Sequence, residues 1–87
     1  MTKKKGYVFI ELKAPEDPKK IANRILDKFL EKKKDYCCSV VGKYDIIIEK
    51  RIDDLAEVND LLAKIRKDGN IGPVIAKSTT FIGMHQP

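Results

Sequence analysis

The stretch YCCSVVGKYDIIIEKRI, residues 36–52, decides the fold of this chain. Two runs rich in β-branched and aromatic residues, 36–41 and 46–52, flank a turn candidate at 42–45. The glycine of this turn can adopt a positive φ, and its aspartate can hydrogen-bond neighbouring backbone amides. The pattern predicts an antiparallel hairpin with a tight turn. The exposed amides of the turn either serve only to connect the strands or hold a small zwitterion.

Two segments lie on each side of the hairpin. Before it, the sequence predicts a strand at 7–12 and a helix at 18–33, whose N-cap is Asp17. After it, a capping-box pattern beginning at Asp54 opens a second helix, which ends at Gly69, and alternation at 73–84 predicts a last strand. The order β-α-β-β-α-β predicts an α+β, ferredoxin-like sandwich: a four-stranded antiparallel sheet with two helices on one face.

The length permits one small domain. Eighty-seven residues, of which 43% are apolar and 36% charged, suit a soluble globular domain spanning 1–87. We expect a flexible basic start at 1–5 and a flexible tail at 84–87. A domain of this size buries roughly 60 to 65% of its unfolded surface, so a monomer would be only modestly stable. Self-association is therefore expected.

Two helices can shield only one face of a four-stranded sheet. The first strand nevertheless carries apolar residues at both parities, with Phe9 on one face and Val8 and Ile10 on the other. In the last strand, simple alternation assigns Ile75 to the same face as Phe81. Because an uncovered apolar face is normally an interface, the pattern predicts a homodimer packed face to face through its sheets.

The formal net charge of +5 comes largely from two lysine triplets, at 3–5 and 32–34. The first triplet lies near a terminus and the second at the predicted end of the first helix, where cations complement the helix dipole. We interpret both as solvated charge, with a phosphate-binding patch as the alternative. Fifteen lysines, eleven isoleucines and one glutamine are typical of proteins from thermophiles.

The sequence has no apolar stretch of about 18 residues and no signal-peptide pattern. These observations predict a cytoplasmic protein without membrane contact. Cys37 and Cys38 are adjacent, which matches no redox or metal-binding spacing. We interpret them as reduced packing residues on opposite faces of a strand.

Enzymatic chemistry finds little support. The only histidine, His85, lies in the predicted tail, and no nucleophile has a partner base at a recognisable spacing. A Gly-rich phosphate loop and a grouping of metal ligands are also missing from the sequence, so we predict no catalysis, no cofactor and no metal. The segment KGYVFIEL, 5–12, approaches an RNA-recognition signature, but that signature belongs on the third strand of such a domain. RNA binding is therefore disfavoured.

The segment VVGKYDIIIE, 40–49, resembles the valine-x-glycine-x-tyrosine-aspartate segment of the Lrp/AsnC regulators, also called feast/famine proteins. The resemblance continues through IDDLAE at 52–57 and STTFI at 78–82, and covers nearly the whole chain. It implies the effector-binding half of such a regulator, the RAM domain of regulation of amino-acid metabolism. Because no helix-turn-helix segment of about 60 residues precedes Tyr7, no direct DNA binding is expected.

The resemblance implies a function in amino-acid sensing. Stand-alone domains of this kind are taken to bind a free amino acid and to modulate transcription regulation through their assembly. The implied assembly is a dimer formed through the sheets, which oligomerises further, often as a ring of four dimers. The alternative is an oligomerisation partner of full-length Lrp/AsnC regulators that binds no ligand.

The resemblance also implies a ligand site where two dimers meet. The backbone of Gly42 and Lys43, together with Tyr44 and Asp45, would contact the ammonium and carboxylate of the amino acid. Two hydroxyl residues of the last strand would contact the ligand or its neighbour; they are Ser78 and Thr80. Read without the resemblance, these two are ordinary strand residues. The identity of the amino acid does not follow from the sequence.

Overall fold

One four-stranded sheet and two helices make up the part of the chain that the computed structural model describes, residues 4–14 and 16–84. The elements are β1 Lys4–Leu12, α1 Pro18–Phe29, β2 Tyr36–Ser39, β3 Ile46–Ile52, α2 Leu55–Lys67, a short 3-10 helix Gly72–Val74, and β4 Ile75–Met84. The strands lie in the order β2-β3-β1-β4, and every neighbouring pair is antiparallel. The predicted α+β, ferredoxin-like fold is confirmed.

The core lies between the helices and one face of the sheet. Alternate residues of β1 and β3 point into it, so that Val8 lies opposite Ile48 and Ile10 opposite Ile46. The helices contribute the apolar faces that their spacing predicted, namely Ile21, Ala22 and Ile25 of α1 and Val58, Leu61 and Ile65 of α2. Full burial of each large aliphatic side chain contributes about 1.5 to 3 kcal/mol relative to exposure.

Both helices begin where their caps predict. The Asp17 carboxylate accepts a hydrogen bond from the amide of Lys19 at 3.1 Å. At α2, Asp54 and Glu57 form a capping box, in which the Glu57 carboxylate accepts from the amide of Asp54 at 2.8 Å. This backbone hydrogen bond lowers the pKa of Glu57. The caps satisfy amides that the first helical turn leaves without partners.

The end of α1 differs from the prediction, because the helix stops at Phe29 and Leu30 is already extended. The buried Asp35 closes the turn that follows: its amide donates to the carbonyl of Glu31 at 2.7 Å. Its carboxylate accepts from the amide of Glu31 at 3.0 Å and from Lys50 Nζ at 3.2 Å. The lysines at 32–34 therefore lie in this turn and not in the last turn of a helix. The helix-dipole explanation of that triplet is wrong.

The first two strands also differ from the prediction in length. β1 begins at Lys4, and Lys5 lies opposite Arg51 of β3, so two residues of the predicted flexible start belong to the sheet. β2 ends at Ser39, where pairing with β3 stops, instead of at residue 41. Met84, the first residue of the predicted flexible tail, pairs with Lys4 and ends β4. The rest of the predicted flexible ends, 1–3 and 85–87, lies outside the described residues.

The alternation in β4 is broken by a register shift between Glu11 and Leu12 of β1. This bulge places Ile75 opposite Leu12, where both side chains are buried in the core. The prediction that Ile75 shares a face with Phe81 is therefore wrong. Residues 73 and 74, predicted as strand, belong to the 3-10 helix.

A closely folded connection joins α2 to β4. The buried carboxylate of Asp68 accepts from the amides of Asn70 and Ile71 at 2.9 and 3.0 Å and pairs with Lys28. These hydrogen bonds lower the pKa of Asp68, and the bond to Lys28 has the largest effect. The amide of Gly72 donates to the carbonyl of Asp68 at 2.8 Å, which brings Gly72 against the end of α2.

We expect Gly72→Ala to destabilise the fold. An added Cβ would lie 2.0 Å from the carbonyl oxygen of Arg66, a backbone atom that moves only if the end of α2 moves. The free energy of unfolding, measured by denaturant titration, should fall by at least about 2 kcal/mol.

Gly69→Ala provides the matched control. Gly69 lies in the same connection, its φ is not positive, and an added Cβ would have no heavy atom within 4 Å. This substitution should change the free energy of unfolding by less than about 1 kcal/mol. Equal destabilisation by the two substitutions would contradict the steric argument.

Candidate functional site

The sheet face away from the helices, here called the open face, carries a mixed set of side chains. It presents Lys5, Tyr7, Phe9 and Glu11 of β1, Cys38 of β2, Ile47, Glu49 and Arg51 of β3, and Lys77, Thr79 and Phe81 of β4. Neither helix covers these residues. Along β1 the cross-strand pairs change from charged, Lys5 with Arg51, to apolar, Phe9 with Ile47.

The apolar end of the open face holds an aromatic cluster of Phe9, Tyr44 and Phe81. The ring centroid of Phe9 lies 5.4 Å from that of Tyr44 and 5.1 Å from that of Phe81, both pairs in tilted arrangements. Such pairs contribute about 0.5 to 1.5 kcal/mol beyond the area they bury. Half of Phe81 remains exposed, at 50%. The predicted uncovered apolar surface is thus present at this end of the open face, while the other end is charged.

The loop 40–45 between β2 and β3 is wider than the predicted tight turn. The amide of Val40 donates to the carbonyl of Asp45 at 2.8 Å, and the tip beyond this bond is exposed at Val41, Gly42 and Lys43. Gly42 has a φ of 144°, which favours glycine. The described residues offer no hydrogen-bond acceptor to the amides of Gly42, Lys43 and Tyr44.

Asp45 fastens this loop to β1. Its amide donates to the carbonyl of Ile10 at 2.8 Å, and its Oδ2 accepts from the amide of Leu12 at 2.7 Å. One carboxylate oxygen is therefore bonded to the backbone of the chain itself. The described residues place no hydrogen bond on the other oxygen, Oδ1.

The structure brings Tyr44 to a residue that the sequence did not single out. The hydroxyl of Tyr44 lies 3.3 Å from Oγ1 of Thr79. Ser78 and Thr80 face the helices instead, and Arg66 Nη2 donates to Ser78 Oγ at 2.5 Å. Within one chain, Ser78 and Thr80 thus lie on the opposite face of the sheet from Tyr44. Thr79 lies opposite Phe9 in the neighbouring strand, so its side chain shares the open face with Phe9. The alternation of side chains along β4 could have predicted Thr79 as a site residue.

The charged end of the open face centres on Glu49. Its Oε1 accepts from the hydroxyl of Tyr7 at 3.0 Å and lies 3.4 Å from Lys5 Nζ. The hydrogen bond to Glu49 raises the pKa of Tyr7. Tyr36 lies opposite Glu49 at the edge of the sheet.

The two adjacent thiols have different surroundings. Cys37 packs partly buried against the core, and burial raises its pKa to about 12. Cys38 is exposed and points to the open face. The predicted opposite faces are confirmed, but only Cys37 is a packing residue.

Two further geometric findings concern the described residues. They contain no grouping of three or more His, Cys, Asp and Glu side chains that could hold a metal ion; His85 lies outside them. Neither α1 nor α2 is long and apolar enough to cross a membrane.

Comparison with known proteins shows similarity in fold. No protein-family model and no curated protein matches the sequence. A solved structure described as hypothetical protein PHS023 from Pyrococcus horikoshii is 15% identical with a TM-score of 0.67, covering 95% of this chain and 92% of that chain. One described as FFRP-DM1 is 16% identical with a TM-score of 0.65, covering 92% and 97%. The second name carries the abbreviation of the feast/famine proteins.

We expect the two thiols to react at very different rates. At neutral pH the Cys37 thiol stays protonated because its pKa is about 12, whereas Cys38 is exposed. A maleimide should modify the Cys38 thiol rapidly. The reaction is run at sub-micromolar protein concentration and followed by mass spectrometry. Cys38→Ser should remove the rapid reaction, and Cys37→Ser should retain it. The reverse result would show that the burial of the two residues is misassigned.

Proposed function

We propose that this chain is a regulator-related oligomerisation domain that binds a free amino acid and modulates transcription regulation through its state of assembly. The observation that carries the proposal is the aromatic cluster on the open face, half exposed at Phe81 and bordered by a loop whose amides at 42–44 find no acceptor among the described residues. The fold that the chain shares with FFRP-DM1 supports it. The segments that resemble the Lrp/AsnC regulators fall on this loop and β3, on the start of α2, and on β4.

A second copy of this chain is the partner that we propose for the apolar end of the open face. Phe9, Tyr44 and Phe81 form a continuous apolar surface together with Ile47. Two such surfaces related by a two-fold axis would cover each other, as isologous interfaces do. The dimers would assemble further, for example as a ring of dimers, or mix with full-length regulators.

The loop supplies groups that suit a zwitterion. The amides of Gly42, Lys43 and Tyr44 could donate to a carboxylate, because such successive amides form anion-binding concavities. Oδ1 of Asp45 could accept from the ammonium group. Ser78 and Thr80 would have to act from a neighbouring copy, since they face away from Tyr44 in the same chain.

A ligand that bridges dimers would shift the assembly equilibrium by its differential affinity for the two states. This mechanism requires binding and no catalysis. The second candidate function is ligand-independent assembly with a DNA-binding homologue. It is favoured by the bond between Asp45 and Leu12, which already gives the carboxylate a role within the fold.

The dimer proposal predicts that Phe81→Asp dissociates the assembly. Phe81 is 50% exposed in the single chain, so a carboxylate there would be tolerated by the monomer but would be buried unpaired in the interface. Sedimentation velocity at micromolar concentration should show a dimer or larger species for wild type and a smaller one for the variant.

Leu55→Asp is the matched control, because Leu55 is 52% exposed and begins α2 on the other side of the sheet. An aspartate in the first turn of a helix is favourable, and the assembly should persist. A monomeric wild type, or equal dissociation by both variants, would contradict the proposed interface.

The ligand proposal predicts a thermal shift with one or a few of the twenty amino acids. A ligand at about 100 times its dissociation constant stabilises the folded state by roughly 2.7 kcal/mol. Asp45→Asn keeps an acceptor for the amide of Leu12 but removes the charge, and should weaken binding by at least about tenfold.

Asp53→Asn makes the same charge change at an exposed residue outside the loop and should leave the affinity unchanged. If no amino acid shifts the melting temperature, the chain is the ligand-independent partner instead.

A further inference from the structure

The two lysine triplets of the sequence meet at the charged end of the open face. Lys5 from the first triplet and Lys33 and Lys34 from the second line one hollow, together with Tyr36, Glu49 and Arg51. The volume of this hollow, here called the basic hollow, is about 170 Å³. Its position separates it from the aromatic cluster: Lys5 and Phe9 are four residues apart on β1, about 13 Å.

The basic hollow carries more positive charge than its own carboxylates neutralise. Glu49 lies 3.4 Å from Lys5, and Glu31 outside the hollow lies 3.6 Å from Lys34. Lys33 and Arg51 form no salt bridge with the described residues. Lys5 and Arg51 also lie directly opposite each other across β1 and β3, a placement of like charges that destabilises a sheet. A bound anion would relieve this repulsion.

The lysines are presented by an ordered turn. Asp35 is buried, and its contacts with Glu31 and Lys50 close the turn that carries Lys33 and Lys34. Because the backbone that carries these lysines is already ordered, the protein loses less conformational entropy when an anion binds. The arrangement therefore differs from a disordered run of lysines.

An aromatic side chain completes the hollow. Tyr36 follows the lysine turn directly, lines the hollow, and is 65% exposed. Exposed tyrosine rings stack on nucleobases. The hollow thus combines phosphate-binding cations with a flat surface for a heterocyclic ring.

We propose that the basic hollow binds a nucleotide. Its phosphates contact Lys33, Lys34 and Arg51, and its base stacks on Tyr36. A free amino acid does not fit this site, because its ammonium group would meet several cations and a carboxylate that already binds Lys5 and Tyr7. A nucleic acid strand is disfavoured because the hollow gathers its cations at one point, whereas a strand is bound by positive charge that follows its backbone. The proposal stands independently of amino-acid sensing, which uses the opposite end of the open face.

Isothermal titration of the full chain with ATP, pyrophosphate and adenosine at low salt tests the proposal. ATP should bind, pyrophosphate should bind more weakly because it cannot stack, and adenosine should bind weakest because it lacks phosphate. Raising the salt concentration should weaken ATP binding, since the cations are exposed. Failure of ATP to bind at millimolar concentration would overturn the proposal.

Two charge-matched variants locate the site. The double substitution of Lys33 and Lys34 by alanine should weaken ATP binding by at least about tenfold. The double substitution of Lys19 and Lys20, exposed on α1, removes the same charge outside the hollow and should change it by less than about twofold. Equal weakening by both would mean nonspecific attraction and would overturn the proposal.

The variant Tyr36→Leu tests the base contact. It should reduce ATP affinity to that of pyrophosphate while leaving pyrophosphate affinity unchanged. If ATP and pyrophosphate bind equally to wild type and Tyr36→Leu has no effect, the hollow is a simple anion site and no nucleotide site. Tight binding of a single-stranded RNA oligomer without binding of ATP would assign the hollow to nucleic acid instead.

Discussion

One layer of branched aliphatic side chains between the helices and the sheet is the contact on which the rest of the structure depends. Ile10, Ile46 and Ile48 of the sheet and Ile25 and Ile65 of the helices are completely buried in it. Because a four-stranded sheet has two faces and the helices reach only one, the same packing leaves the open face uncovered. The exposure of aromatic side chains on that face, such as Phe81, is therefore a consequence of how the helices pack on the sheet.

The loop 40–45 and the register shift between β1 and β4 are coupled through Asp45. The hydrogen bonds of Asp45 to Ile10 and Leu12 hold the loop at the end of β1, where the register with β4 changes. This anchoring places Tyr44 over Phe9. Asp45, whose residue type predicts a turn, therefore also brings Tyr44 into the aromatic cluster.

The elements that depend on local chemistry could be predicted from the sequence. The hairpin, the order of the elements and the cap of α2 follow from residue types and spacing, and the structure reproduces them. The differences arise beside contacts with distant residues: Asp35, which bonds to Lys50, closes the turn after the early end of α1, and the register shift against β1 moves Ile75 into the core. The proximity of Lys5 to Lys33, and of Tyr44 to Thr79, also depends on strand register. A one-residue shift in the pairing would move the side chains of a strand to the opposite face of the sheet.

β2 is the least secured part of the sheet, and this has a consequence for local opening. It pairs with β3 through four residues, and no other strand of the described chain lies on its second side, whereas β1 is paired on both sides. Segments with few buried contacts open at free energies below that of global unfolding, so the amides of β2 should exchange with solvent before those of β1. A ligand in the basic hollow would contact the turn and the tyrosine that lead into β2. Its binding would therefore be recorded as slower hydrogen exchange along this one edge, while the centre of the sheet keeps its rate.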